Sequence, residues 1–566
     1  MTKRCVQGSV CGPTFWNTIL DELLNLPLPS GCVIQAFADD VLLNVSTESV
    51  KDLETSYLET IKRKSYRSQK SNKAKIEMNG VRLSFVDDIK LLGVIIDKCL
   101  KFVKHARYVL TKAQRIFTNL SRFERPTWGV HPENIITIYK QVVEPTITYA
   151  AAIWGNATKF YYIRRLFQMF QRTFAIRAIR AFHTVSLTSA LALSRFIPLH
   201  LKMSECMKLD EVKRTGTLEH TSDTSLQSRV QQHQQLHPAD RQTITYRTVN
   251  TQEELNSLDT FDCIQIYTNG SKQETSESKA AFVISRQINS WENFMFKLHD
   301  TCTVFQAEAL AIDRALEWAE FNMTSKTLQV FSDSKSCLEA IKNRGNDLPL
   351  ISSIHNRLHH LRQHLVVEFF WIKAHVGIEG NEAADNYAKQ ASTLTVDATY
   401  SQFPLSYAKR ELRLQTEAKW QKEYEEANTG KTTKIFFKST SEAKIYADAF
   451  GISFELTQIL TGHGYHKQYL KRFNITDQGC SPCDGETSQT LDHLLHECLC
   501  YASERRSYTL LCEHQIPAFN MVAISAHIQL TEFFKKLIKF FKSLTHKFVH
   551  LGTTQLDLMT TIACIN

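Results

Sequence analysis

Glu308, Asp333 and Asp385 lie far apart along the chain, yet each stands where an element is expected to begin or end. Leu328 to Phe331 reads as a strand, and Asp333 follows its end. Phe305 to Phe321 has helical spacing, with Ala307, Leu310, Ala311, Ala315 and Trp318 available for one buried face, and Glu308 falls in its first turn. Glu382 to Ser392 reads as a further helix, with Asp385 in its first turn. Strand ends and helix starts can meet on one sheet edge, where gathered carboxylates repel unless a cation sits among them. Hard oxygen ligands suit Mg²⁺ or Mn²⁺. Two such ions about 3.5–4 Å apart would activate water and stabilise the leaving oxygen in phosphodiester hydrolysis. His375 lies between Asp333 and Asp385, within Lys373-Ala374-His375-Val376-Gly377-Ile378-Glu379-Gly380-Asn381. Taken singly, each acid reads as readily as a helix cap or a solvated charge; the conjunction carries the reading.

Two further groups have chemistry-bearing spacing. Asp39 and Asp40 are adjacent acids flanked by apolar residues in Gln35-Ala36-Phe37-Ala38-Asp39-Asp40-Val41-Leu42. They suit a tight hairpin, either as an ordinary turn or as a pair holding catalytic Mg²⁺. Cys480-x₂-Cys483-x₉-His493-x₄-Cys498 has the ligand types and spacing of a closed, structural Zn²⁺ site, with His496 and Cys500 as alternative ligands. The competing account is a set of reduced cysteines near a buried histidine. Lys159 to Arg180 carries six basic and no acidic residues, interleaved with Phe160, Tyr161, Tyr162, Phe167, Phe170 and Phe174. That pattern fits a phosphate-neutralising face and an amphipathic helix equally.

The elements that must position these residues follow from the totals and the apolar periodicity. A chain of 566 residues exceeds one core and suggests three or four domains. Its apolar (43%) and charged (22%) fractions are those of an ordinary globular protein. The net charge of +9 favours a polyanionic partner only slightly, so local clustering matters more. No run of eighteen apolar residues and no secretory pattern is present, and outside the 480–500 stretch the cysteines are scattered singly. A reducing compartment, nucleus or cytoplasm, is expected, without membrane or secretion. Residues 261 to 393 alternate in the order βββαβα, with room for another helix, then βα. Residues 206 to 260 are poor in large apolar residues and read as a linker.

With these elements in place, the motifs resemble a known family. Tyr267-Thr268-Asn269-Gly270-Ser271-Lys272, Phe305-Gln306-Ala307-Glu308, Phe331-Ser332-Asp333-Ser334 and Trp371 through Asp385 resemble, in order, the ribonuclease H domain of retroelements. The resemblance implies metal-dependent cutting of the RNA strand in RNA–DNA hybrids. Glu308, Asp333 and Asp385 would match three of the family's four metal-binding acids, and His375 its histidine assisting product release or proton transfer. Gly270, Ser271 and Gln306 would lie against the nucleic acid. Asn269 departs from the pattern, because the family has aspartate there. Asn offers one neutral carbonyl oxygen in place of two charged ones, so a weakened or silent nuclease is expected.

Gln7-Gly8-Ser9-Val10-Cys11-Gly12-Pro13 together with Asp39-Asp40 resembles a reverse transcriptase palm. The resemblance implies nucleotide and template contacts for Gln7, Gly8 and Ser9, and metal binding for the two aspartates. Ile89 through Asp97 resembles that family's primer-grip hairpin. Residues 98 to 200 resemble the thumb of polymerases from non-long-terminal-repeat retrotransposons, notably Glu144-Pro145-Thr146-Ile147-Thr148-Tyr149-Ala150 and Ile153-Trp154-Gly155. The chain starts just before Gln7, so the strand bearing the family's first catalytic aspartate is missing, and no primer extension is expected from it alone. Leu460-Thr461-Gly462-His463-Gly464 and Tyr469-Leu470 resemble the segment preceding the zinc knuckle of the same polyproteins.

The expected fold is therefore a multidomain α/β chain. A partial palm and thumb (1–200) leads through a linker (201–260) to a ribonuclease-H-like mixed five-stranded sheet with flanking helices (261–393). A helical connector (394–479), a CCHC zinc knuckle (480–500) and a basic helical tail (501–566) follow. The expected partners are RNA–DNA hybrid, RNA and DNA, with no small-molecule substrate beyond nucleotides. The alternative is a catalytically inactive nucleic-acid-binding remnant.

Overall fold

A computed structural model describes residues 86–121 and 130–499, with short breaks at 220–222, 232–233, 238–239, 242–243, 259–261, 273–277, 288–289, 323–326, 392–396, 482 and 492. It also describes residues 32–37, 40–45, 77–78, 81–82 and single positions near either end. Two compact units emerge: Ser204–Trp420, and Met1–Met203 together with Gln421–Asn566. No helix among the described residues is long and apolar enough to cross a membrane.

The first of these units is built on a mixed sheet. Its strands are β1 (Tyr246–Val249), β2 (Cys263–Lys272), β3 (Ser278–Gln287), β4 (Ser290–Lys297), β5 (Thr327–Ser332) and β6 (Val366–Ile372). Its helices are α1 (Gln252–Asn256), α2 (Val304–Asn322), α3 (Lys335–Lys342), α4 (Pro349–Leu361) and α5 (Glu379–Gln390). The strand order is β4-β3-β2-β5-β6-β1, antiparallel across β4-β3-β2 and parallel across β2-β5-β6-β1. The sheet thus has six strands where five were expected. The sixth, β1, comes from the stretch expected to be a linker. That stretch also contributes α1 and most of the helix Leu199–Thr215. β1 escaped notice because only four residues pair, with Tyr246 and Val249 its only large apolar side chains.

Alternation along the strands divides the core into two layers. Ile266, Phe282, Val330 and Phe369 pack beneath α2 and α4. Their neighbours Tyr267, Val283, Phe331 and Phe370 face the opposite way, with Ala384 of α5 among them. Tyr267 stacks on Phe331 at 4.7 Å between ring centres, and Phe331 on Phe370 at 4.7 Å. At Gly380 a β-carbon would stand 2.5 Å from the Tyr267 ring, so α5 approaches the sheet more closely than any side chain at that position allows.

The other unit joins two distant stretches of sequence. A hairpin (Asp88–Leu91 and Val94–Asp97) turns through Leu92 and Gly93, both at positive φ. The Asp97 carboxylate accepts from the backbone of Cys99, Lys101 and Phe102, fixing the approach to the helix Val103–Ser121. That helix buries Ala106, Val109, Leu110 and Ala113 at i, i+3, i+4 and i+7. The helix Tyr161–Ala178 buries Phe167, Phe170 and Phe174, while Arg172 donates to the carbonyls of His183 and Val185 and Arg164 pairs with Glu423. Of the two accounts of Lys159 to Arg180, the amphipathic helix describes these side chains; Phe160, Tyr161 and Tyr162 remain exposed.

Residues expected as a connector supply the other half of the unit. Arg195, buried and at positive φ, pairs with Glu133 and with Asp448. Thr433 donates to Leu460 and touches Ser189, and Phe182 packs on Phe454, Tyr465 and Tyr469.

Two buried histidines give this unit an acid sensitivity. The Nδ1 of His105 accepts from Ile95, and its ring meets Trp154 edge-on at 4.7 Å. Burial pushes its pKa down to about 4, and burial together with His463 does the same at His466. The folded values lie below the ordinary 6.5, so the unfolded chain takes up these protons first. The stabilisation is whole above pH 6.5 and drains away as pH falls toward 4. We expect each histidine to cost about 2 kcal/mol by pH 5. A melting temperature of this unit that stays flat between pH 7.5 and 5 would contradict it.

Candidate active site and candidate metal centre

The register of the parallel strands assembles the first site. Thr268 of β2 pairs with Ser332 of β5, and Ser332 with Trp371 of β6, so Asn269 within β2 lies beside Asp333, just past the end of β5. The Trp371 indole donates to the Asp333 carbonyl at 3.0 Å. On the other flank β2 meets α2 with no room to spare. A β-carbon at Gly270 would lie 2.6 Å from the Glu308 backbone nitrogen, and the Gly270 amide donates to the Glu308 carboxylate. Both α2 and α5 begin earlier than expected, at Val304 and Glu379, so Glu308 and Asp385 fall in the second helical turn. His375 sits at φ 55° in the exposed turn after β6, beside Gly377 at φ 84°.

These positions bring the expected acids within electrostatic reach of one another. Glu308 is 5% exposed, and its Oε2 has no hydrogen-bond partner. Burial, then Asp333 and Asp385, push its carboxyl well above the usual range. Burial raises Asp333 as well, against the Asn381 hydrogen bond, and Asp385 adds to the rise while His375 opposes it. Acids so held resist ionising together unless a cation joins them, and the buried, unpartnered Glu308 oxygen is a hard ligand atom. The donor set therefore fits a divalent ion.

Asn269 is 5% exposed and donates its amide to Asp333 Oδ2 at 3.3 Å. Two neighbours were missed from sequence. Asn381, 2% exposed, donates to the same oxygen at 3.5 Å, and its own Oδ1 is without a partner. Lys389 donates to Asp385 Oδ2 at 2.6 Å. The signal was available, because 381, 385 and 389 recur every four residues on one helix. Of the residues expected against nucleic acid, Ser271 is half-buried at the end of β2. Gln306 is buried and its amide is spent on Thr303, Gln227 and Gln402. It positions the start of α2.

The second site lies in the other unit. Cys483, His493 and Cys498 present ligand atoms all within 4.8 Å of one another, the single group of its kind among the described residues. Cys483 Sγ is 3.3 Å from His493 Nε2. Glu497 lies 3.3 Å from His493 Nδ1, which orients the ring and leaves Nε2 for a ligand role. Cys480 is not in this group. Buried Ser481 stands there instead, 3.0 Å from Cys483 Sγ and 3.6 Å from Cys498 Sγ. Cys500, Gln7, Gly8, Ser9, Asp39 and the tail from 503 lie outside the described residues, and Asp40 opens the second strand of the hairpin Cys32–Phe37/Asp40–Val45.

Known proteins bear out the first site's fold. The family model for RNase H matches residues 262–393. A Pol polyprotein from the type-1 retrotransposable element R1 of Bradysia coprophila is 25% identical over 236 residues, covering 38% of this chain and 23% of that protein. An R1 Pol polyprotein of Nasonia vitripennis is 29% identical over 143 residues, covering 25% and 36%. The RNA-directed DNA polymerase from mobile element jockey of Drosophila funebris is 28% identical over 183 residues, covering 27% and 19%. The chain thus spans well under half the length of these relatives. Residues 262–393 match the ribonuclease H family, in a chain similar to polyproteins of type-1 retrotransposable elements.

Proposed function

We propose that the chain binds RNA–DNA hybrid and hydrolyses its RNA strand, slowly, in the pocket of Glu308, Asp333 and Asp385. The observation that carries this is the electrostatic coupling of those three acids, Asp333 after β5, Glu308 on α2 and Asp385 on α5, with the buried Glu308 Oε2 left unpartnered. Mg²⁺ or Mn²⁺ bound there would supply activation of water and stabilisation of the leaving oxygen. Glu308 and Asp333 would hold it, Trp371 fixes the Asp333 backbone, and His375, whose charge acts on Asp333 from the turn after β6, would carry a proton. Purified chain with Mg²⁺ should cut a labelled hybrid while sparing duplex DNA of the same sequence. Equal treatment of both, or no binding to hybrid at low salt, would end the proposal.

A second reading has its own support, because Asn269 turns an amide toward Asp333 where the family has a carboxylate. On that reading the chain grips nucleic acid without cutting it. The helix Val103–Ser121 supplies a suitable face in the part we read as a partial reverse transcriptase thumb. Lys104, Arg107, Lys112 and Arg115 are exposed along it, and it contains no acid. Lys90, then Lys112 and Arg115, hold the Tyr108 hydroxyl below the usual phenol range, which marks their cations as close neighbours. Phosphates would gather such a row, and affinity would fall steeply with salt.

For the cysteine centre we propose structural Zn²⁺, held by Cys483, His493 and Cys498 with Cys480 or Cys500 completing the shell. Mass spectrometry of the metal should find about one equivalent of zinc per chain. Cys483→Ser should lose it; retention by that variant would count against the site.

A further inference from the structure

The ribonuclease site carries one cation of its own, on a side chain about half exposed to solvent. Lys389 places its ammonium on Asp385 Oδ2 at 2.6 Å, from one turn further along α5. Asn269 and Asn381 both direct amide hydrogens at Asp333 Oδ2, at 3.3 and 3.5 Å. Asn269 itself brings no charge. Once Asp385 is matched by Lys389, Glu308 and Asp333 are left as the two carboxylates without an ion-paired partner, with only His375 in the exposed turn after β6 acting on Asp333. Two buried negative charges balance one divalent ion. A second ion would leave the pocket with an excess charge of about +2 in poorly solvated surroundings, a costly state. The ligand atoms agree with the count. Glu308 Oε2 and Asn381 Oδ1 are both buried without partners, whereas the Asp385 oxygen is engaged.

We infer that this pocket takes a single divalent cation, on Glu308 and Asp333, and that Lys389, by pairing with Asp385, takes the place of the charge of a second. The inference rests on reading the pocket as a cation site. Lys389 is a positioning residue in this account, because it acts by occupying Asp385. The arrangement explains how a ribonuclease H domain lacking the aspartate at 269 keeps a pocket of three acids without needing two metals to neutralise it.

The experiment is a Mn²⁺ titration of the full chain, zinc-loaded beforehand, read by electron paramagnetic resonance of free Mn²⁺. The wild type should bind one Mn²⁺, lost in Glu308→Gln. Asn269→Asp combined with Lys389→Met restores two charges and should bind two Mn²⁺. Thermal melts of each variant confirm folding. Two ions on the wild type, or none at millimolar Mn²⁺, would overturn the inference. So would a folded double variant that still binds one. Hybrid binding, measured separately by fluorescence anisotropy without divalent metal, tests the proposed function. A chain that binds one Mn²⁺ but no hybrid would sink that function and leave the stoichiometry standing.

Discussion

Asn269→Asp is expected to raise the initial rate of hybrid cleavage about a hundredfold. The amide nitrogen of Asn269 stands 3.3 Å from Asp333 Oδ2, so a carboxylate there would face Asp333 directly. That geometry is repulsive until metal arrives, and the shared oxygen ligand becomes available when it does. Recovering about 3 kcal/mol of transition-state stabilisation corresponds to about two powers of ten in rate. The same substitution carries a second signature. Another acid in a buried cluster should lower the melting temperature in EDTA, and saturating Mg²⁺ should more than restore it. Initial rates on a fluorescent hybrid with 5′-labelled RNA, with melts beside them, read both effects. A variant no faster than the parent would remove Asn269 as a brake on the proposed cleavage.

Arg357→Met should cost the ribonuclease unit about 3–5 kcal/mol. Arg357 on α4 reaches three carboxylates of α2 at once: Asp313 at 3.1 Å, Glu317 at 2.8 Å and Glu320 at 2.6 Å. Asp313 is only 5% exposed and also accepts from Ser353 at 2.6 Å. With the guanidinium gone, Asp313 is a buried charge beside two others of its own sign. Methionine keeps most of the packing along the stem, so the loss isolates the charge. For a unit of this size the drop in melting temperature should be roughly 6–20 °C. Denaturant unfolding monitored by tryptophan fluorescence would measure it. A loss below about 1 kcal/mol would show that the network is solvent-screened.

What could be read in advance follows from how each feature is encoded. The long helix α2 and strands β2, β3, β5 and β6 announce themselves through apolar runs of the right period, and the acids sit at their ends. β1 does not, because its four residues matter through pairing with β6 rather than through any apolar pattern. Gln306 shows the reverse error: its place in a recognised motif suggested contact with substrate, but the burial of its amide depends on Gln227 and Gln402, 79 residues before it and 96 after. Lys389 was legible by helical spacing, yet its meaning depends on Asp385 already being a site residue. At the cysteine centre the spacing of 480 and 483 suggested a pair of ligands, while the turn brings Ser481 toward Cys483 and Cys498 instead.

Arg195 and its two partners also govern the order in which this molecule can be built. Glu133 precedes the ribonuclease unit in the chain and Asp448 follows it. During synthesis, at roughly 5–20 residues per second, the first partner waits roughly fifteen seconds to a minute for the second. Through that interval the nascent first half has an arginine facing an absent mate and an apolar surface without its cover. A chaperone or bound nucleic acid could shelter it, and a stop codon placed after residue 420 would make the exposure permanent.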